Sequence, residues 1–148
     1  MAARVTENQS VELAETPEQQ DARFEAARRF AIEAARLAAN TRCHNVVVLD
    51  VSGLSPVCDF FVIATGTSPR QMRTVADDLE ELAQAQGYPP LNEAGREGST
   101  WILVDCIDVV IHVFSEQARQ YYDLDSLWGD ARRVQWQMEP QTNADERR

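Results

Sequence analysis

The chain predicts an α/β fold, a small mixed β-sheet flanked by helices, and three observations carry that expectation. Four apolar runs of strand length, Val46–Val51, Phe60–Ala64, Trp101–Asp105 and Asp108–Phe114, share the chain with two long stretches of helical periodicity. The runs come in two pairs, each joined by turn chemistry, while a helix-length segment separates the pairs, so antiparallel hairpins and one crossover are expected. Finally, 148 residues, 44% of them apolar, supply one core and leave little for a second. A single domain over residues 16–130 follows, with polar tails at 1–15 and 131–148.

In chain order, residues 1–15 are polar, acidic and aperiodic and read as a disordered tail. Thr16-Pro17-Glu18-Gln19 is a capping box with Pro in the first turn, and opens an Ala-rich helix to about Asn40. Its apolar members, Phe24, Ala27, Ala31, Ala34, Ala35 and Ala38 with Phe30 and Leu37 beside them, form a shallow stripe suited to close approach. Val46-Val47-Val48-Leu49 with Val51 is a β-branched strand, and Ser52-Gly53 with Ser55-Pro56 turns it into the Phe60 strand as a hairpin.

The stretch from Asp59 to Gly87 organises the rest. Its strand passes through Thr65-Gly66-Thr67-Ser68 into a helix that Ser68 caps and Pro69 begins, with Gln71 placed to complete a second capping box. Met72, Val75, Ala76, Leu79, Leu82 and Ala83 make the inner face; Gly87 and Pro89-Pro90 end the helix. Tyr88 to Thr100, punctuated by Pro90, Gly95 and Gly98, reads as a long surface loop. The strands Trp101–Asp105 and Asp108–Phe114, separated by Cys106-Ile107, form an antiparallel pair, the second buried on both faces. Ser115 caps a last helix through Tyr121-Tyr122, and Asp123 to Trp128 is a final turn stopped by Gly129. Beyond it the chain is polar, with Trp136 alone, and reads as a C-terminal tail.

Charge and composition narrow the function. A formal net charge of −10 repels phosphate backbones, so direct DNA binding is not expected and a basic protein partner fits better. The acidic N-terminal stretch is wrong for a transit peptide, and no apolar run reaches membrane-spanning length, which points to the cytoplasm. Cys43, Cys58 and Cys106 form no C-x-x-C spacing and read as reduced packing residues; Cys43-His44 has no second ligand pair at metal spacing.

Four constellations could carry function. Gly66-Thr67-Ser68 before a helix N-terminus offers N–H groups to an anion, with Arg70 and Arg73 nearby, but the loop has one Gly and no following Lys, and the cap alone explains Ser68. Asp105 and Asp108 are spaced D-x-x-D; alternation along a strand would converge a D-x-D pair, so solvated turn carboxylates are favoured over a metal or acid/base pair. His112, between Val110 and Phe114, has no nucleophile at motif spacing and reads as a half-buried, hydrogen-bonded histidine. Trp101, Tyr121, Tyr122 and Trp128 stand at element ends, where a ring is either core lid or contact anchor.

Taken together, the motifs Asp59–Ser68, Trp101–Asp105, Asp108–Phe114 and Tyr122–Trp128, in that order, resemble the ribosomal silencing factor (Iojap-like) family over Ala27 to Asp130. The resemblance implies a nucleotidyltransferase-like α/β fold without catalytic carboxylates, and a non-enzymatic function with no cofactor. That function is binding the fourteenth large-subunit ribosomal protein and sterically preventing the small subunit from joining, which represses translation when nutrients are scarce. Carried over by motif, the partner surface is Trp101 with Tyr122 and Leu124, rimmed by Asp105 and Asp108; the free protein is a monomer or homodimer. The alternatives are a nucleotide-binding or nucleotidyltransferase-like enzyme using Gly66-Thr67-Ser68 and the two aspartates, and a homodimerising scaffold. Two places depart from the family. Ile107 stands where members often carry Gly, and since a β-branched residue resists positive φ, that hairpin is expected to open differently. Glu93-Ala94-Gly95 stands where members usually carry Glu-Gly, so either the acid is displaced or a residue has been inserted.

Overall fold

The computed structural model describes residues 14–137. Four helices and six strands follow in the order α1 (Pro17–Asn40), β1 (His44–Asp50), β2 (Phe60–Thr65), α2 (Pro69–Ala85), β3 (Asn92–Ala94), β4 (Trp101–Asp105), β5 (Val109–Phe114), α3 (Glu116–Tyr122), α4 (Leu124–Leu127) and β6 (Arg132–Arg133). They build one mixed sheet in the order β3-β4-β5-β2-β1-β6.

Both expected hairpins form: β1 pairs antiparallel with β2, and β4 with β5. Helix α2 then carries the chain from β2 to the far edge, and β4 and β5 step back inward. This return lays β5 parallel against β2, with Phe60 opposite Val109 and Thr65 opposite Phe114. The expected α/β class is therefore observed, with one parallel pair at the centre of an otherwise antiparallel sheet.

The two long helices cover one sheet face. Thr16 caps α1 with both halves of its box in place: Thr16 Oγ1 accepts from the Gln19 N–H (3.0 Å), and Gln19 Oε1 from the Thr16 N–H (2.8 Å). The small stripe Ala27, Ala31, Ala34, Ala35 and Ala38 is fully buried, so α1 lies close upon the sheet, while Phe30 fills the remaining gap and stacks on Tyr88 at 4.7 Å. From α2, Met72, Val75, Ala76, Leu79 and Ala83 enter the same core, where they meet Phe60, Val62, Ile102, Val104, Val109, Ile111 and Val113. On the opposite face a smaller cluster gathers Val47, Leu49, Val51, Cys58, Ile63 and Phe114 beneath Ala118 of α3 and Leu124 of α4. Strand β5 feeds both clusters, as its two-sided apolar character predicts.

Four local expectations are corrected. The Tyr88–Thr100 loop contains β3, whose Ala94 pairs with Leu103 of the neighbouring strand, and Arg96 fastens the segment by ion pairs to Glu93 (2.7 Å) and to Asp77 of α2 (2.9 Å). The segment after Ala131 is no tail as far as it is described: Arg132 and Arg133 pair with β1, and Trp136 Nε1–H donates to Val46 O (3.0 Å) while Arg36 holds Trp136 O (2.7 Å). Exposed β1 edge groups thereby gain partners, which polar composition alone conceals. At α2 the second capping box is half made. Ser68 Oγ accepts from the Gln71 N–H (3.0 Å), but Gln71 Oε1 accepts from Thr67 N–H (2.9 Å) and its amide donates to Thr41 O (2.7 Å), tying α2 to the end of α1. Lastly, the β4–β5 turn closes despite its branched residue: Ile107 adopts φ 73°, its N–H donates to Asp105 Oδ1 (2.9 Å), and Cys106 N–H reaches Val109 O (2.9 Å). The paired strands impose the turn on an unfavourable residue. Of the two predicted tails, residues 1–13 and 138–148 lie outside the described residues.

Candidate partner-binding face

The sheet face opposite α1 and α2 is only partly roofed. Helix α3 starts at Ser115, whose Oγ accepts from Ala118 N–H (3.1 Å), and ends at Asp123, a left-handed residue (φ 48°) that turns the chain into α4. Arg119 fixes this corner. Its Nη1 donates to Asn45 O (2.7 Å) and Thr65 Oγ1 (2.8 Å), while Nε and Nη2 form a two-pronged pair with the Asp125 carboxylate, each at 3.0 Å. That guanidinium holds the Asp125 carboxyl below its ordinary range. One side chain thus binds α3 and α4 to β1 and β2, and the pair was not singled out from the sequence because a six-residue spacing matches no helical neighbour rule.

Past this roof a run of rings crosses the face. Trp128 meets Phe61 edge-on (5.1 Å), Phe61 meets His112 edge-on (4.9 Å), and His112 leads to Trp101, which leans on Phe114 (4.9 Å) and Tyr122 (4.6 Å). Tyr121 stands edge-on to Tyr122 at the outer end (4.9 Å). The Trp101 indole N–H donates to His112 Nδ1 at 3.1 Å. Trp101 is half-buried, its N–H satisfied from below, and Tyr122 is 46% exposed. Apolar bodies with one side open to solvent are suited to contact with another macromolecule.

The five candidate residues separate in space. Trp101 and Tyr122 touch. Leu124 is 8% exposed within the smaller core cluster, where it supports the α3–α4 corner from inside. Asp105 lies at the far end of β4, roughly 13 Å along the strand from Trp101, and its carboxylate caps its own turn. Asp108 faces Arg23 of α1 (3.5 Å), on the helical side. Asp105 thus shares the Trp101 face of β4 at its other end, whereas Asp108 turns toward the helical side. Asp108 instead joins Asp59, whose carboxyl is pushed upward by burial and by Asp108 itself.

The loop weighed for anion binding is explained by packing. A Cβ on Gly66 would come within 2.2 Å of Met72 Cγ and 2.7 Å of Gln71 Oε1, so a larger residue would displace the buried Met72 side chain, and the Thr67 N–H is already engaged by Gln71. Arg73, one of the two cations nearby, bonds Ser99 Oγ (2.9 Å). The Glu93-Ala94-Gly95 departure has its own geometry: Glu93 pairs with Arg96, and Gly95 (φ 92°) passes so near the Trp101 carbonyl that a Cβ would overlap it. All three cysteines are free and buried, with Cys106 pushed up to about 12 chiefly by desolvation, which makes it an inert packing group.

Residues 24–148 match the family model described as "Ribosomal silencing factor during starvation". The chain belongs to this family. Among ribosomal silencing factors, a protein of Halalkalibacterium halodurans called "Ribosomal silencing factor RsfS" is 42% identical over 94 residues, 64% of this chain and 80% of that protein. A Bacillus subtilis protein of the same name is 39% identical over 90 residues, 61% of this chain and 76% of that one. The relationship extends to "Protein Iojap, chloroplastic" of Arabidopsis thaliana, 31% identical over 113 residues, 76% of this chain and 47% of that protein. A crystal structure from Bacillus halodurans superposes with a TM-score of 0.62 at 34% identity, covering 75% of this chain and 98% of that one. One from Chromobacterium violaceum gives 0.63 at 29% identity over 82% and 97%. Among the described residues no helix is long and apolar enough to cross a membrane.

Proposed function

We infer that this silencing factor acts in the cytoplasm by occupying the large ribosomal subunit, through its fourteenth ribosomal protein, and thereby sterically prevents the small subunit from joining when nutrients are scarce. The observation that carries the reading is the Trp101–Tyr122 pair, half-open on the sheet side that the long helices leave uncovered, in a chain of the ribosomal silencing factor family. An aromatic centre of this kind supplies a binding hot spot. The chain's net charge of −10 complements a partner made basic by its position on ribosomal RNA. Such a mechanism needs occupancy and no bond chemistry. Against the nucleotidyl-transfer alternative stand the packing role of Gly66, the engaged Thr67 N–H and the separate surroundings of Asp105 and Asp108.

Sedimentation with purified subunits tests the reading. The protein is expected to pellet with large subunits, hardly with small ones, and to reduce joining of the two; equal pelleting with both would sink it. Trp101→Ala should remove a hot spot of roughly 2 kcal/mol or more, weakening large-subunit binding on the order of 30-fold. The variant should remain folded, as followed by thermal melting, because the ring covers the smaller cluster without filling it.

A further inference from the structure

Among the described residues, one buried side-chain nitrogen lacks a hydrogen-bond partner: Nε2 of His112, in a ring only 5% exposed. The other nitrogen is engaged, since Nδ1 lies 3.1 Å from the Trp101 indole nitrogen. An indole N–H can only donate, so Nδ1 carries the lone pair and the imidazole proton sits on Nε2. The neutral ring therefore strands a buried N–H donor, a costly arrangement that an apolar ring of similar size would avoid. Its surroundings suit such a ring: Phe61 meets it edge-on at 4.9 Å, and Phe114 lies parallel at 6.1 Å. Packing alone thus favours phenylalanine at this position, and what histidine adds is the acceptor at Nδ1.

Sheet register makes that acceptor useful. Trp101 lies opposite Phe114 and Leu103 opposite His112, so Trp101 and His112 are diagonal neighbours across β4 and β5, a distance that two aromatic side chains can span. The other ring contacts of Trp101, with Phe114 and Tyr122, are non-directional, whereas the bond to Nδ1 is directional. We propose that His112 is the positioning residue of the partner-binding face, its Nδ1 fixing the Trp101 indole in the orientation in which that ring and Tyr122 meet the partner. The gain is preorganisation, because an indole already locked loses less freedom on association. This proposal rests on the reading of the face given above.

Three variants, assayed by pelleting with isolated large ribosomal subunits, separate the proposal from that reading. His112→Phe keeps the volume, discards the stranded N–H and loses the acceptor. Because the stranded imidazole N–H is exchanged for a Trp101 N–H without its acceptor, it should melt close to the wild type, shift the Trp101 indole N–H proton resonance to that of an unbonded indole, and bind about tenfold more weakly, the equivalent of one hydrogen bond. His112→Asn puts an amide oxygen where Nδ1 stood but buries further N–H groups. It should melt lower, yet keep the bonded indole resonance and restore binding to within about twofold. Binding and stability then rank the two variants in opposite orders, which a merely structural histidine would not produce. Normal binding by His112→Phe, with Trp101→Ala impaired, overturns the positioning role and leaves the face intact. Normal binding by Trp101→Ala overturns the face and the proposal together.

Discussion

His112 is the residue at which burial and charge meet. Desolvation lowers its pKa from 6.5 to about 4, so the unfolded chain takes up a proton over a range in which the folded chain refuses one. A base with a depressed folded pKa contributes fully above the unfolded value, and that contribution drains away as pH falls toward the folded one. Between pH 7 and 5 the wild type should therefore lose about 2 kcal/mol through this residue, and His112→Phe should not. Urea midpoints of both proteins at the two pH values decide it; parallel losses would mean that the ring titrates normally. Two carboxyls act lower on the scale with opposite signs. Asp125, depressed by Arg119, stabilises above its unfolded pKa and ceases to as acid neutralises it, whereas Asp59, raised by burial, is relieved by protonation.

At the scale of elements, the β4–β5 turn holds a branched residue at φ 73° that is 53% exposed. Ile107→Gly should stabilise the protein by about 1 kcal/mol, since left-handed strain is relieved and little burial is lost; a lower midpoint in chemical denaturation would show that the exposed side chain contributes more than its strain costs. The β6 segment gives a second case. Trp136 packs against the main core and donates to Val46 O, so Trp136→Ala should cost about 1–2 kcal/mol in the same assay, whereas a loose tail would tolerate the change. These two sites also mark what the sequence could disclose. Hairpins β1–β2 and β4–β5 were legible because β-branched runs flank short turn-bearing links, and α1 and α2 because their caps and apolar spacing agree. Strands β3 and β6, three and two residues long, have no measurable period and exist through pairing with a neighbour. In the candidate site, Trp101 and Tyr122 were legible as aromatics at element ends. The acceptor role of His112 depends on a diagonal register, and the attachment of Asp108 to Arg23 on a contact 85 residues apart in sequence, neither of which local pattern contains.

For the whole molecule, the net charge of −10 acts over distances that single contacts do not. Association with large subunits should slow as salt rises, while dissociation, governed by the aromatic centre, should change much less; salt-insensitive association in stopped-flow fluorescence would count against steering. The central position of β2 has a further consequence. Among the described residues its parallel neighbour β5 is the last of the long strands, and the ribosome releases the chain from the N-terminal end. Until Phe114 has cleared the exit tunnel, one edge of β2 has no partner, so α1 and the first hairpin must wait as an incomplete, aggregation-exposed layer. Closure of the sheet then follows the synthesis of every other long strand described. The ring cluster of Trp101, His112 and Phe114 is therefore complete only once all three residues have emerged.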